Sequence, residues 1–284
     1  MENLDTLLNQ AIEASDQGDK ELAVSIYQKI LSEKEDWSTI HYNLGLIYKY
    51  KNDWDKSYYH NKRAVDLDPE MAAAKWNLGI AATMLKDWQL ARQCWNSFGM
   101  KYEIIDEDTA GDIGGVSIRI SPDANAETVW AIRICPARAI IKNIPLPESE
   151  HRFKDVVLND GAPNGYRMSE GKEYPVLDEI QHLSQSDYQT YSIKCKDITD
   201  AQFEDLRQRC WKSDIAIENW TTQVQMLCKQ CSEGKPHESH DHDLKNPDGE
   251  NKIALATTSQ ETLVSVLEAW SQDTGVDYYE CHYY

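Results

Sequence analysis

The chain has 284 residues, of which 41% are hydrophobic, and its 48 acidic side chains against 29 basic ones give a formal net charge of −19. At roughly 100 to 200 residues per domain this is material for two or three domains, and nine Trp with fifteen Tyr supply enough apolar surface to exclude pervasive disorder. A field of that sign repels phosphate backbones and anionic lipid, so nucleic acid and membrane surfaces are set aside as partners.

The first twenty residues lack both the basic stretch and the unbroken apolar run of a secretory signal, and no later window reaches about 18 consecutive apolar residues. Seven Cys, an odd number with no regular framework, read as free thiols in a reducing compartment. The expected setting is the cytoplasm.

Self-similarity dominates the N-terminal part, with a period of 34. Asn9, Asn43 and Asn77 fall 34 apart, as do Asp19, Asp53 and Asp87, and as do Ala23, Ser57 and Ala91. Small residues recur where two antiparallel helices must approach: Ala11, Gly45 and Gly79 on a first helix, Ala23, Ser57 and Ala91 on a second. Large residues follow at Tyr27 and Trp95, and turns fall at Gly18-Asp19, Asn52-Asp53 and Lys86-Asp87. These are helix-turn-helix units.

Residues 1–102, with units at about 4–37, 38–71 and 72–102, resemble the tetratricopeptide repeat (TPR) family. The second unit carries His41-x2-Leu44-Gly45-x2-Tyr48, then Ala64 and Pro69; the third carries Leu78-Gly79, Ala91-x3-Trp95 and Phe98. The first has Gln10-Ala11 in place of Leu-Gly, as suits a terminal cap, and the second has Asn61 where an aromatic is usual. The resemblance implies a concave face, lined by the first helices, that binds extended peptides or partner helices. On it Asn9, Asn43 and Asn77 would form an amide ladder to a peptide backbone, with Tyr42, Lys49, Tyr50 and Trp76 beside it. The bland alternative is that Asn is simply a common repeat residue.

Of the charge, 15 acidic and 11 basic side chains lie in the first hundred residues, leaving 33 and 18, net −15, for residues 101–284. From about Gly111 short alternating runs replace the helical period: Val116, Ile118, Ile120; Trp130, Ile132, Ile134; then 139–144, 155–158 and 174–177. Five short strands over residues 112–184, with turns at 121–123, 145–147 and 161–165, predict a small β-barrel or sandwich. Cys135 with Arg138 nearby is a possible reactive thiol, but a strand-end Cys is more often core.

Residues 185–284 change pattern again. Tyr191, Ile193 and Cys195 alternate as one face of a strand; Thr199 with Gln202 offers a capping box, and Phe203, Leu206 and Cys210 mark the helix it opens. Ile215 and Ile217 mark a second strand, and Ile253 and Leu255 a third. Thr258 with Glu261 opens a second helix through Leu263, Val266, Leu267 and Trp270, and 276–284 closes as a strand. That order, βαβ twice, predicts a ferredoxin-like βαββαβ sandwich with a Cys/His-rich insertion at 221–251. The fold class is therefore α+β multidomain: all-α TPR helical repeats, a small β-barrel and a ferredoxin-like domain. Residues 112–284 weakly resemble a bacterial family of unknown function that places a small barrel before a ferredoxin-like domain, a likeness that implies a fold and no active site. The four tyrosines Tyr278, Tyr279, Tyr283 and Tyr284 suggest a partner patch, although on a terminal strand half of them should face the core.

One stretch carries chemistry. Residues 228–242 read CKQCSEGKPHESHDH, in which Cys228 and Cys231 can grip a cation from one turn while His237, His240 and His242 close round it. The spacing suits a compact structural Zn(II) knuckle, far shorter than a DNA-reading finger; the competing reading is two structural thiols beside a solvated loop. A catalytic zinc would need an open position and a base such as Glu238 or Asp241.

The function expected is a non-catalytic intracellular protein–protein interaction adaptor, taking a peptide or partner protein in the TPR groove. A sharper version is an acidic immunity or inhibitor protein covering a basic toxin. The alternatives are a zinc-dependent hydrolase built on the Cys/His-rich loop and a structural assembly subunit.

Overall fold

The computed structural model of the chain describes residues 3–108, 111–169, 171–221 and 249–284. The chain divides into two units, Met1–Ala110 and Gly111–Tyr284.

The first unit is six helices: α1 (Leu4–Asp16), α2 (Lys20–Glu33), α3 (Ser38–Tyr50), α4 (Trp54–Leu67), α5 (Ala72–Met84) and α6 (Trp88–Asn96). Their starts repeat at 34 in both series, 4, 38, 72 and 20, 54, 88. The Asp column supplies the second-helix N-caps. The Asp19, Asp53 and Asp87 carboxylates accept the backbone N–H of Leu22 (3.0 Å), Lys56 (3.3 Å) and Leu90 (3.1 Å), satisfying donors that the helix itself leaves without partners. Just before each cap the chain passes through the left-handed region, at Gly18 (φ 87°), Asn52 (56°) and Lys86 (60°). Gly takes this turn freely and Lys does so at a cost.

Helices of a pair meet through their small columns. The Ser57 hydroxyl donates to the Gly45 carbonyl at 2.9 Å, and Ala11, Ala23, Tyr27, Ile30 and Leu44 are fully enclosed. Tyr27, Asn61 and Trp95 share one repeat position, and two of them fill the space a Cβ would need: Asn61 at Gly45 and Trp95 at Gly79. Beyond α6 the chain runs on without helix. Asn96 accepts from the Tyr102 N–H (2.7 Å) and donates to its carbonyl (2.8 Å), while the buried Arg92 donates to the carbonyls of Glu103 (2.8 Å) and Glu107 (2.5 Å).

In the second unit β1 (Gly115–Ile120), β2 (Glu127–Cys135), β3 (Arg138–Ile141), β4 (Val156–Ser169) and β5 (Lys172–Ser184) close in chain order into a barrel, with β1 parallel to β5. Two details depart from the sequence expectation. The alternation of β2 has the other phase: Val129 and Ala131 enter the core with Val116, Ile118, Ile120, Ala139, Ile141, Val157 and Leu177, while Trp130 lies outside. The interior of so small a barrel is filled by compact aliphatic side chains, and the indole stays outside. Trp130 is instead covered by Tyr174 (ring centroids 5.0 Å) and the Arg167 guanidinium (4.7 Å). Second, the turn expected at 161–165 is absorbed into β4. Its register against β5 breaks at Asn159, Pro163 and Tyr166, and the hairpin turns instead between Ser169 and Lys172. Pro lacks the ladder N–H and Gly packs nothing, so both are accommodated at bulges rather than ending the strand.

The chain then forms β6 (Gln189–Lys196), α7 (Asp200–Lys212), β7 (Ala216–Asn219), β8 (Glu250–Thr257), α8 (Gln260–Thr274) and β9 (Tyr278–Tyr283), whose strands make an antiparallel sheet in the order β7-β8-β6-β9. The Thr199–Gln202 capping box forms; the second helix is capped one residue later than expected, by Ser259, whose hydroxyl accepts the Thr262 N–H. Ile193, Cys195, Ile253 and Leu255 pack against Leu206 and Cys210 of α7 and Leu263, Leu267 and Trp270 of α8. The alternate residues of β8, Ala254 and Ala256, pack with Ile144, Tyr188 and Trp220, so this strand is buried on both faces. Glu218 fastens that second contact, accepting from the Asn143 amide (2.8 Å) and the Ile144 N–H (3.1 Å), and the Trp220 indole donates to the Ile144 carbonyl at 3.0 Å.

Candidate functional site

Asn9, Asn43 and Asn77 are the sixth residues of α1, α3 and α5, one equivalent position on three successive first helices. Their surroundings are graded. Asn9 is exposed; Asn43 is half-buried and donates to the Tyr27 hydroxyl at 3.1 Å; Asn77 is buried and its Oδ1 accepts from the Lys49 ammonium at 3.1 Å. Lys49 is itself only 2% exposed, and its ammonium lies 4.4 Å from the ring centroid of Tyr50, which is 56% exposed. Trp76 is half-buried, edge-on to Trp95 (5.1 Å) and Phe98 (4.9 Å), with its indole Nε1 enclosed and without a hydrogen-bond partner; Tyr42 is half-buried. Tyr27, held among these side chains, has its phenol pKa raised, first by burial.

Beside this face lies a cluster the sequence did not signal. His41 on α3 and His60 on α4 meet through their Nδ1 atoms at 3.0 Å, and His41 Nε2 is 3.1 Å from the Glu35 carbonyl. A carbonyl only accepts, so neutral His41 carries its hydrogen on Nε2, and His60 must donate from Nδ1 to the His41 lone pair. His60 stacks on Tyr48 (5.7 Å) and stands edge-on to Tyr59 (5.0 Å). Burial, followed by the charges of His41 and Lys56, pushes the His60 pKa down to about 4, and burial lowers that of His41.

The second unit holds a different pair. His151, buried, faces Glu179 Oε1 with Nε2 (2.8 Å) and the Ser149 carbonyl with Nδ1 (2.6 Å). Both ring nitrogens meet acceptors, an arrangement that favours the imidazolium form. Burial alone would lower its pKa; the Glu179 bond and charge, then the Ser149 carbonyl, outweigh it and the pKa is raised. His182 lies alongside at 4.7 Å between centroids, its Nε2 3.0 Å from the fully buried Asp155, whose carboxylate also accepts the N–H groups of Arg152 (2.8 Å) and Ser186 (2.7 Å). Glu127, capping the Leu146 N–H at 2.9 Å, is pushed up to about 7, chiefly by burial.

Cys228, Cys231, His237, His240 and His242 lie outside the described residues. Among the described residues no group of three or more His, Cys, Asp or Glu is arranged to hold a metal ion. Cys135 is buried with its sulfur 3.4 Å from Arg138 Nε. Among the described residues no helix is long and apolar enough to cross a membrane.

No protein-family model matches the sequence, and no curated protein does. Two solved structures to which the chain is similar are TPR domains. One is the second TPR of Spaghetti (RPAP3) bound to HSP90 peptide SRMEEVD, at 17% identity over 34% of this chain and 89% of that one, with a TM-score of 0.32. The other is the Sgt2 TPR domain from Aspergillus fumigatus, at 20% identity over 34% of this chain and 64% of that one, with a TM-score of 0.31. The N-terminal helical repeats stand on this chain's own geometry, helix pairs stepped by 34 residues.

Proposed function

We propose that the chain is a non-catalytic adaptor whose TPR-like helices hold a peptide or partner protein along the face of α1, α3 and α5. The observation that carries this is the amide column at one repeat position. Asn9 is open to solvent, and Asn43 spends one amide hydrogen on Tyr27 and keeps its Oδ1 for an incoming backbone N–H. Asn77 with Lys49 sits deeper, as the polar floor of the same face, with Tyr42, Tyr50 and Trp76 as apolar walls. The TPR domain bound to an HSP90 peptide is a precedent for the ligand class, not for its sequence. The test is capture of partners by the full chain against the Asn9→Ala/Asn43→Ala/Asn77→Ala variant, with a melting curve to confirm that the variant is folded. Partners lost from a folded variant support the face; retention of all of them moves binding to the acidic second unit.

That acidic body supports a narrower version, an immunity or inhibitor protein for a basic toxin, because net −15 over residues 101–284 steers a cationic partner. Affinity that does not weaken with added salt removes its rationale. The body itself reads as a small barrel and a ferredoxin-like sandwich, since strand order β7-β8-β6-β9 is that of a split βαβ pair. For the Cys/His-rich stretch the proposal is structural Zn(II) on Cys228 and Cys231 with two of His237, His240 and His242, supported by spacing alone. Metal content near one per chain with closed coordination supports it; an open, water-bearing site favours the hydrolase instead. The proposed setting is the cytoplasm, in keeping with free thiols at Cys94, Cys135, Cys195, Cys210 and Cys281.

A further inference from the structure

The amides of the α1, α3 and α5 face are not equivalent, because different groups stand behind them. An amide carries one acceptor oxygen and two hydrogens, and which end meets a visiting chain depends on which end is already engaged. Behind Asn43 is the Tyr27 hydroxyl, which takes a hydrogen from the amide at 3.1 Å. A phenol donates as well as it accepts, so this partner suits either turn of the Asn43 amide.

Behind Asn77 is the Lys49 ammonium, 3.1 Å from Oδ1. An ammonium is a donor with no acceptor, so only the oxygen of the amide satisfies it. Lys49 is 2% exposed and Asn77 5%, so turning the amide over would set donor against donor where little water reaches to relieve them. Asn77 is thereby held with its Nδ2 turned away from Lys49, and among the described residues nothing accepts from that nitrogen. The helix pair itself does not demand this lock. Lys49 stands at the repeat position of Ser15 and Thr83, so of the three units the second alone supplies a cation there.

We infer that Lys49 is a positioning residue, which holds Asn77 as a donor to a backbone carbonyl of a bound chain, while Asn43, whose partner lets it turn, meets either an N–H or a carbonyl. The inference rests on the reading of this face as the binding face, and it narrows the ligand. Packed helices stand about 8 to 10 Å apart, a distance that an extended chain covers in about three residues. The segment that fits is extended, with a carbonyl at α5 about three residues from the group that meets Asn43. A helical ligand spends its carbonyls within itself and leaves Asn77 unmet.

The probe is a peptide from a random phage-displayed library panned on the full chain, retained by wild type and not by the Asn9→Ala/Asn43→Ala/Asn77→Ala variant. It is synthesised with an amidated C-terminus, and its affinity is read by titration calorimetry. Asn77→Asp keeps the size of the side chain and gives Lys49 a carboxylate to bond, but removes both donor hydrogens. It should melt no lower than wild type and lose affinity roughly tenfold or more. Lys49→Met keeps the stem and removes the lock. Affinity should then fall about two- to fivefold, as the amide spends part of its time turned over, and should fall no further when the same change is made on Asn77→Ala.

A Lys49 that merely supports the helices would weaken binding equally with and without the Asn77 amide, and that result overturns the inference. So does a folded Asn77→Asp that binds as wild type does; in both cases the face still stands. A peptide whose binding is abolished by exchanging its Asp and Glu for Asn and Gln also overturns it, since the acceptor is then a carboxylate. A library that yields no peptide sensitive to the triple variant removes the binding face itself. If Asn77→Asp does not fold, the cycle of Lys49→Met and Asn77→Ala decides alone.

Discussion

The two histidine clusters give the two units opposite responses to pH. In the first unit His60 falls from 6.5 to about 4 and is held neutral by burial. A group whose folded pKa lies below its unfolded value contributes stability that is present above the unfolded pKa and lost as pH falls, here between about 6.5 and 4. At 1.36 kcal/mol per unit that shift sets a ceiling of about 3.4 kcal/mol, which we reduce to about 2 because the ring is partly open to solvent. For a unit of this size that is a melting shift of roughly 10 °C between neutral pH and pH 4. In the second unit His151 is raised, so its contribution is complete below the unfolded value of 6.5 and disappears as pH rises through the folded pKa. Glu127, raised from 4.5 to about 7, acts in the same direction, losing its contribution as pH rises between those values. Hydrogen exchange read by mass spectrometry on the full chain, corrected for intrinsic rates, resolves the units. Peptides of α3 and α4 should lose protection first on acidification, and peptides around 149–155 and β5 first on raising pH. His60→Leu should flatten the acid limb, and Glu179→Gln the alkaline one. Equal slopes in both units, or an acid limb that survives His60→Leu, would refute the assignment of these rings.

Further expectations rest on packing and caps. A Cβ at Gly79 would lie 2.6 Å from the Trp95 ring and one at Gly45 2.5 Å from the Asn61 amide. Each Gly→Ala change should therefore cost about 1 to 3 kcal/mol by denaturant melt, with Gly79 worse because an indole cannot step aside. Replacing Asp19, Asp53 or Asp87 by Ala should cost about 1 kcal/mol each, measured the same way, and a cost confined to one of the three would contradict their equivalence. Glu218→Ala strands the Asn143 amide and the Ile144 N–H, so about 1 to 3 kcal/mol should be lost by thermal melt, with loosened exchange at 142–146.

What the sequence revealed and what it hid separate along a physical line. The columns at 19, 53, 87 and at 23, 57, 91 were legible because a helix pair imposes the same local demand every 34 residues: a cap carboxylate and a small contact. The Thr199–Gln202 box was legible for the same reason, being complete within four residues. Inside and outside in β2 were not, because alternation fixes only that successive residues part company. Which set turns inward depends on the bore of a barrel that exists only once β1 has met β5. The same holds for chemistry. His41 stood inside a repeat motif and His60 nineteen residues on, and only the antiparallel return of α4 on α3 puts one hydrogen between their rings. His151, Asp155, Glu179 and His182 come from the β3–β4 connection and from β5, so no local spacing announces them. Where local geometry decides a residue's role the sequence repeats it; where closure of a sheet or a helix pair decides it, a search for short motifs passes over the residues that carry the charge.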